Sequence, residues 1–207
     1  MDASGSGPRR LVVGITGASG SIYGIRLLEM LRGTGIETHL VISQWGARTI
    51  VHETPYTVQQ VQELATEKYA IGDVGAAIAS GSFLTMGMAI VPCSVRTLGA
   101  IAGGFGDNLI HRAADVALKE RRTLVLAVRE APLSEIHLEN MLKLARMGAS
   151  ICPPTPAFYN QPRTIDDLVT YSVVRLLDQL GIHVEDATRW SGEMKRGPGR
   201  PARGAEV

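Results

Sequence analysis

The 207 residues carry 21 basic and 20 acidic side chains, a formal charge of +1, so the chain offers no general attraction to nucleic acid or an anionic membrane, and any anion must be held locally. The two cysteines, Cys93 and Cys152, sit in unrelated contexts and suggest neither a disulfide framework nor a zinc ribbon, which fits a reducing, cytoplasmic setting. No apolar stretch of about 18 residues occurs, and the start MDASGSGPRR has no apolar segment behind its charges, so neither membrane spanning nor secretion is expected.

In chain order, LVVGI at 11–15 is the first expected strand, followed by the small-residue turn TGASG and a helix near 20–33. THLVIS at 38–43 is the second, with helices near 44–53 and 57–66; MAIVP at 88–92 is the third, with helices near 94–103 and 109–120. TLVLAV at 123–128 and ASICP at 149–153 are the fourth and fifth, separated by a helix near 135–147. This alternation implies a parallel sheet covered on both faces, because parallel neighbours need crossover connections; the expected fold is a Rossmann-like three-layer αβα sandwich. A last helix is capped by Thr164, favoured at its positive end by Asp166 and Asp167, striped by Ile165, Leu168, Val169, Leu176, Leu177 and Leu180, and stopped by Gly181. One domain over 11–190 is expected, with residues 1–10 and the Gly-, Pro- and Arg-rich tail at 191–207 disordered. The GRP triplet of that tail is compatible with a minor-groove hook or, on composition, with a solvated tail.

In an open parallel sheet ligands bind beyond the carboxyl ends of the strands. There Thr16, Gly17, Ala18, Ser19 and Gly20 form a turn whose backbone can approach a ligand, with a helix N-terminus behind it where a phosphate would fit; tight packing of the turn is the competing explanation. The glycines at 14, 17, 20 and 24 do not make the GxGxxG fingerprint, and a P-loop is absent. The other strand ends add Ser43, the run Cys93 to Thr97, Arg129 with Glu130, and Phe158 with Tyr159. Cys93 is expected to be a buried filler, since no histidine lies in its segment to activate it, and His52, His111 and His137 show no metal-ligand spacing.

The stretches TGASG, VPCSVRTLGAIA, RAADVALKERRTLVLAVREAPLSEIHLENMLKLARMGA and PAFYNQP resemble the flavin prenyltransferase family, from about Leu11 to Trp190. The resemblance implies transfer of a dimethylallyl group from dimethylallyl monophosphate to N5 and then C6 of reduced FMN, without a metal. It implies a homododecamer whose neighbouring subunits share each site, and a product passed to a prenylated-flavin-dependent decarboxylase. Carried over, the FMN contacts are Gly17, Ala18, Ser19, Ser43, Ser94, Val95, Arg96, Thr97 and Arg129. The prenyl phosphate contacts are Ser80, Gly81, Arg112, Lys119, Glu130, Tyr159 and Arg175, with Trp190 and Tyr159 as an aromatic wall. Ser19, Glu53, Glu130 and Lys119 are the implied catalytic groups. The chain departs from several relatives by carrying Asp73, Val74 and Gly75 where a tryptophan is found shortly before SGS, which implies a looser prenyl pocket.

Each residue also has a plainer explanation. Arg112, Lys119, Glu120, Arg121 and Arg122 can be the solvated face of one helix. Arg175 can pair with Asp178 or Asp167. Glu53 can end a helix before Thr54 and Pro55, Glu130 can pair with Arg129 or cap the turn before Pro132, and Trp190 can cover an apolar edge. Two other functions use the same fold. A flavin-dependent cysteine decarboxylase would carry PxMNxxMW, to which GGFGDNLI is the nearest approach here. A non-catalytic flavin-binding subunit would need no second phosphate site.

Overall fold

A computed structural model describes residues 9–184 and Arg189; Trp190, the tail at 191–207 and residues 1–8 lie outside the described residues. The elements are β1 (Arg10–Ile15), α1 (Ser21–Leu31), β2 (Glu37–Ile42), α2 (Gln44–Glu53), α3 (Val58–Gln62), β3 (Glu67–Tyr69), β4 (Gly87–Cys93), α4 (Val95–Gly103), α5 (Leu109–Lys119), β5 (Thr123–Val128), α6 (Glu135–Arg146), β6 (Ser150–Ile151) and α7 (Ile165–Gln179). The six strands pair in parallel in the order β3-β2-β1-β4-β5-β6, the doubly wound arrangement expected from the alternation.

Side-chain alternation along each strand builds two cores. Leu11, Val13 and Ile15 of β1, with Ala89, Val91, Val125 and Ala127, pack against Ile25, Leu28, Val173 and Leu177 of α1 and α7. Val12, Met88, Ile90, Leu124 and Leu126 point the other way, onto Leu98, Ile101, Ile110 and Ala114 of α4 and α5. Full burial of one such leucine or isoleucine contributes roughly 1.5–3 kcal/mol, so the three layers are held from both faces.

Five strands were expected and six form. Glu67–Tyr69 is short, charged and exposed at the sheet edge, where it needs no apolar alternation to pair with β2. β6 shrinks from 149–153 to two residues because Pro153 and Pro154 follow and cannot donate to a ladder. β1 begins one residue earlier than expected, at Arg10, whose Nε donates to Glu37 at 2.9 Å. The expected helix at 57–66 stops at Gln62. α7 matches its punctuation: Thr164 and Asp167 form a reciprocal capping box, and Gly181 adopts a φ of 70°, a left-handed conformation that suits glycine. Asp166 instead pairs with Arg26 of α1 at 2.5 Å, tying the two helices together. Among the described residues no helix is long and apolar enough to cross a membrane.

Candidate active site

The strand order reverses between β1 and β4, and their carboxyl ends are clipped together. Thr16 Oγ1 donates to the Pro92 carbonyl at 2.8 Å and accepts from the Ser94 amide at 2.8 Å. The Ser43 amide bonds the Ile15 carbonyl at 2.9 Å, and the Arg129 amide the Cys93 carbonyl at 3.1 Å. Loops after β1, β2, β4 and β5 are thereby held around one cavity of about 670 Å³, at the switch point where this sheet type binds ligands. Gly17, Ala18, Ser19, Ser43, Ser94, Val95, Arg96, Thr97, Arg129 and Glu130 line it, so every expected FMN contact meets in one place.

The phosphate expectation at the first turn needs correcting. The amides at the start of α1, Gly20 and Ser21, donate to Glu53 Oε2 at 2.8 and 3.2 Å, so that positive helix end already holds a carboxylate. The smallness of Gly17 also has a packing cause: a Cβ there would lie 2.3 Å from the Trp45 Cβ. The open helix starts lie elsewhere on the rim. Ser43 caps α2 by accepting from the Gly46 amide at 2.9 Å, Ser94 caps α4, and Asn108 caps α5, and all three capping residues line the cavity. Three converging positive ends, with Arg96 and Arg129, favour an anionic ligand.

Glu53 is the last residue of α2 and reaches back across the turn. Desolvation by the surrounding protein would raise its pKa, but hydrogen bonds from the Gly20 amide, the Ser19 hydroxyl and the Ser21 amide, with the charge of Arg129, hold it below the ordinary carboxylate value. It is therefore ionised at neutral pH. Arg129 Nε donates to the Ser19 carbonyl at 3.1 Å, fixing the residue between the carboxylate and the cavity. Glu130 Oε1 accepts from the Ala131 amide at 3.0 Å, which is the turn-capping contact expected as its plainer role, while the residue also lines the cavity.

Seven lining residues were not singled out as site residues: Gln44, Trp45, Ile71, Gly72, Asp107, Asn108 and His111. Trp45 is 59% exposed with the Arg48 guanidinium 4.7 Å from its ring centre, so the cavity has its own aromatic wall. His111 is buried with Nδ1 unpartnered and Nε2 3.3 Å from the Asn108 amide nitrogen; burial lowers its pKa, Asp107 opposes this and Arg96 adds to it. Burial pushes the Cys93 thiol up to about 12, which keeps it protonated and unreactive, as expected of a filler.

The expected prenyl-phosphate residues other than Glu130 do not reach this cavity in a single chain. Arg112 faces Asp115 at 3.4 Å and Lys119 faces Glu120 at 3.3 Å, the solvated helix face named above. Tyr159 meets the Tyr171 hydroxyl, with ring centres 5.7 Å apart. Arg175 pairs with Asp178 at 2.6 Å, one of its two expected carboxylate partners. Among the described residues no cluster of three metal-ligating side chains occurs.

Asp178 collects Arg175, Arg189 and His183, and hydrogen bonds from Arg189, outweighing desolvation and helped by His183 and both arginines' charges, lower its pKa to about 2. A carboxylate depressed on folding stabilises above its unfolded pKa of about 3.9, and that contribution is lost as pH falls through about 2. The full linkage is about 2.6 kcal/mol. Because Arg175 and Arg189 are 49% and 45% exposed, screening reduces it. Asp178→Asn is expected to lose about 1–2 kcal/mol at neutral pH and little near pH 2, read by denaturant unfolding at both values.

A doubly wound parallel sheet with an anion-favouring cavity at its switch point defines a mononucleotide-binding α/β protein, and residues 3–177 match the Flavoprotein family. The chain is 55% identical over 192 residues to a probable UbiX-like flavin prenyltransferase of Bacillus subtilis, covering 93% of this chain and 94% of the relative. A crystal structure of AnUbiX (PadA1) in complex with FMN and dimethylallyl pyrophosphate is 51% identical, covers 91% of this chain and all of that one, and superposes with a TM-score of 0.89. A dodecameric FMN-dependent UbiX-like decarboxylase from Escherichia coli O157:H7 is 53% identical over 88% of this chain and all of that one, with a TM-score of 0.87. The chain belongs to the flavin prenyltransferases of the Flavoprotein family.

Proposed function

We propose that the chain is a metal-independent prenyltransferase that joins a dimethylallyl group from dimethylallyl monophosphate to N5 and C6 of reduced FMN. The observation that carries the proposal is the placement of Glu53 directly behind the cavity wall, where it accepts from the Gly20 and Ser21 amides at 2.8 and 3.2 Å next to the lining residue Ser19, because a protein that merely stores FMN has no use for a base held there. The likeness to a structure that contains both FMN and dimethylallyl pyrophosphate supports it.

The residues present fit FMN. The cavity volume of about 670 Å³ is that of a pocket for one cofactor-sized ligand. Arg96 and Arg129 with the Ser43, Ser94 and Thr97 hydroxyls would hold its phosphate and polyol, and Gly17, Ala18, Val95 and Trp45 would flank its ring. Bound and reduced, FMN supplies the nucleophilic N5 and C6. Breaking the allylic C–O bond leaves positive charge on the prenyl group and negative charge on the phosphate, so cations must surround one and aromatic faces the other. Arg112, Lys119 and Arg175 act as the cations, with Ser80 and Gly81 as further contacts, and Tyr159, Trp190 and Trp45 provide the aromatic faces. Glu53 accepts a proton through the Ser19 hydroxyl, and Glu130 transfers one beside the departing phosphate.

Because Arg112, Lys119 and Arg175 lie outside the cavity of their own chain, neighbouring copies complete the site. The surface supports such an assembly: of α6 only Leu144 is buried, while Ile136, Leu138, Leu142 and Met147 are more than half exposed. A homododecamer is the assembly proposed. The protein works in the cytoplasm, where its free thiols remain reduced, and its product serves a decarboxylase that uses prenylated FMN.

Anaerobic incubation with reduced FMN and dimethylallyl monophosphate, followed by mass spectrometry of the released flavin, tests the proposal. A gain of one five-carbon unit is expected. An unmodified mass overturns the reading, and decarboxylation of a cysteine-terminated peptide would replace it with the rival activity.

A further inference from the structure

Away from the flavin cavity, one arginine is committed to a single exposed loop. Arg122 lies in the turn between α5 and β5, and its guanidinium donates to the Gly81 carbonyl at 2.5 Å, the Phe83 carbonyl at 2.8 Å and Thr85 Oγ1 at 3.3 Å. Three acceptors within five residues fix the path of that loop. Packing does not otherwise explain its order, since Ser80 and Ser82 are exposed and Leu84 is 71% exposed. Phe83 is anchored inward, beneath Arg10 at 4.6 Å and against His39 at 5.3 Å between ring centres, and Met86 at the far end of the loop packs on the core with its amide 2.8 Å from the Arg10 carbonyl.

The loop so held has a defined polar face. Ser80 Oγ and Ser82 Oγ lie 2.9 Å apart. A Cβ at Gly81 would fall 2.2 Å from Glu120 Oε1, so the Glu120 carboxylate rests directly on this glycine. Lys119 Nζ is 3.3 Å from the same carboxylate oxygen. Residues almost forty positions apart thus form one cluster of two hydroxyls, a backbone without a side chain, an ammonium group and the Glu120 carboxylate paired with it, which an incoming phosphate must displace from Gly81 and Lys119.

We infer that Arg122 is a positioning residue for dimethylallyl monophosphate: by pinning the carbonyls of Gly81 and Phe83 it presents Ser80, Gly81 and Ser82 beside Lys119 as one phosphate-binding element. The inference rests on the proposed prenyl transfer and adds a residue that touches neither flavin nor phosphate. Arginine is needed because its planar fork spans three acceptors, whereas a lysine ammonium satisfies fewer of them from one position.

The test compares wild type with Arg122→Met, Arg122→Lys and Thr85→Val, all as full chains. In Arg122→Met the KM for dimethylallyl monophosphate is expected to rise about 10- to 100-fold, the scale on which a misplaced positioning group acts, with FMN affinity unchanged. Arg122→Lys should fall between, and Thr85→Val, which removes one acceptor and leaves the arginine, should raise KM a few fold. Hydrogen exchange of residues 80–86 should quicken in the arginine variants and slow in wild type on adding dimethylallyl monophosphate. An unchanged KM in Arg122→Lys and Thr85→Val, or equal losses of FMN and phosphate affinity, reduces Arg122 to a structural staple and overturns the inference. A wild type that makes no prenylated flavin refutes the proposed reaction instead, and exchange at 80–86 that ignores the phosphate refutes the loop's role independently of turnover.

Discussion

Glu53→Gln is expected to slow prenyl transfer by about 10²- to 10⁴-fold, the usual contribution of a positioned acid or base, while FMN still binds within a few fold of wild type. The amide oxygen of glutamine can keep accepting from the Gly20 and Ser21 amides, which meet a single carboxylate oxygen, so the turn after β1 retains its shape. What disappears is the charge beside the Ser19 hydroxyl and its capacity to take a proton. The pH dependence follows from the sign of the shift. A carboxylate held below its ordinary value is already ionised through the neutral range, so the wild-type rate should be insensitive to this group there and fall only in acid as Glu53 protonates. Single-turnover rates measured from neutral to acid pH for both proteins check the point; equal rates in wild type and variant at neutral pH would remove Glu53 from the mechanism.

Gly17→Ala should have the second large effect. The added Cβ would lie 2.3 Å from the Cβ of Trp45 and 3.2 Å from its backbone carbonyl carbon, atoms that no rotamer change can move aside. Either the turn after β1 or the start of α2 must shift, and both line the cavity. Overpacking of this kind costs about 1–3 kcal/mol, so a lower melting temperature and an FMN affinity reduced about tenfold or more are expected together. Fluorescence titration of FMN alongside thermal unfolding tests this. Wild-type affinity in the variant would mean that the turn yields without disturbing the site.

The sequence made the sheet and the polar cavity at its carboxyl edge legible, because strand alternation, caps and strand-end polarity are local properties. Ser43, Ser94, Thr97 and Arg129 all follow apolar strands and therefore collect at one edge. What escaped was tied to elements with no local pattern. β3 reads Glu-Lys-Tyr and carries no apolar alternation, so neither the strand nor the Ile71 and Gly72 that follow it into the cavity leave a local signal. Asp107 and Asn108 lie in GGFGDNLI just before α5, and there an asparagine ahead of an apolar helical run is a readable cap. The occupation of the α1 start by Glu53 was not readable, since it depends on a contact 33 residues away. Nor does periodicity distinguish a cation waiting for a partner from one on a solvated helix face; Arg112 and Lys119 look the same in both cases until the neighbours are placed.

The separation of Arg112, Lys119 and Arg175 from the flavin cavity of their own chain bears on how defects are inherited within an assembly. If each reaction centre borrows groups from adjoining copies, then two inactive variants, one altered at Glu53 and one at Lys119, should regain a fraction of normal turnover when refolded together, because some junctions will receive an intact half from each. By the same logic, a substitution that only weakens the seam between copies silences chemistry while leaving every chain well folded and loaded with flavin.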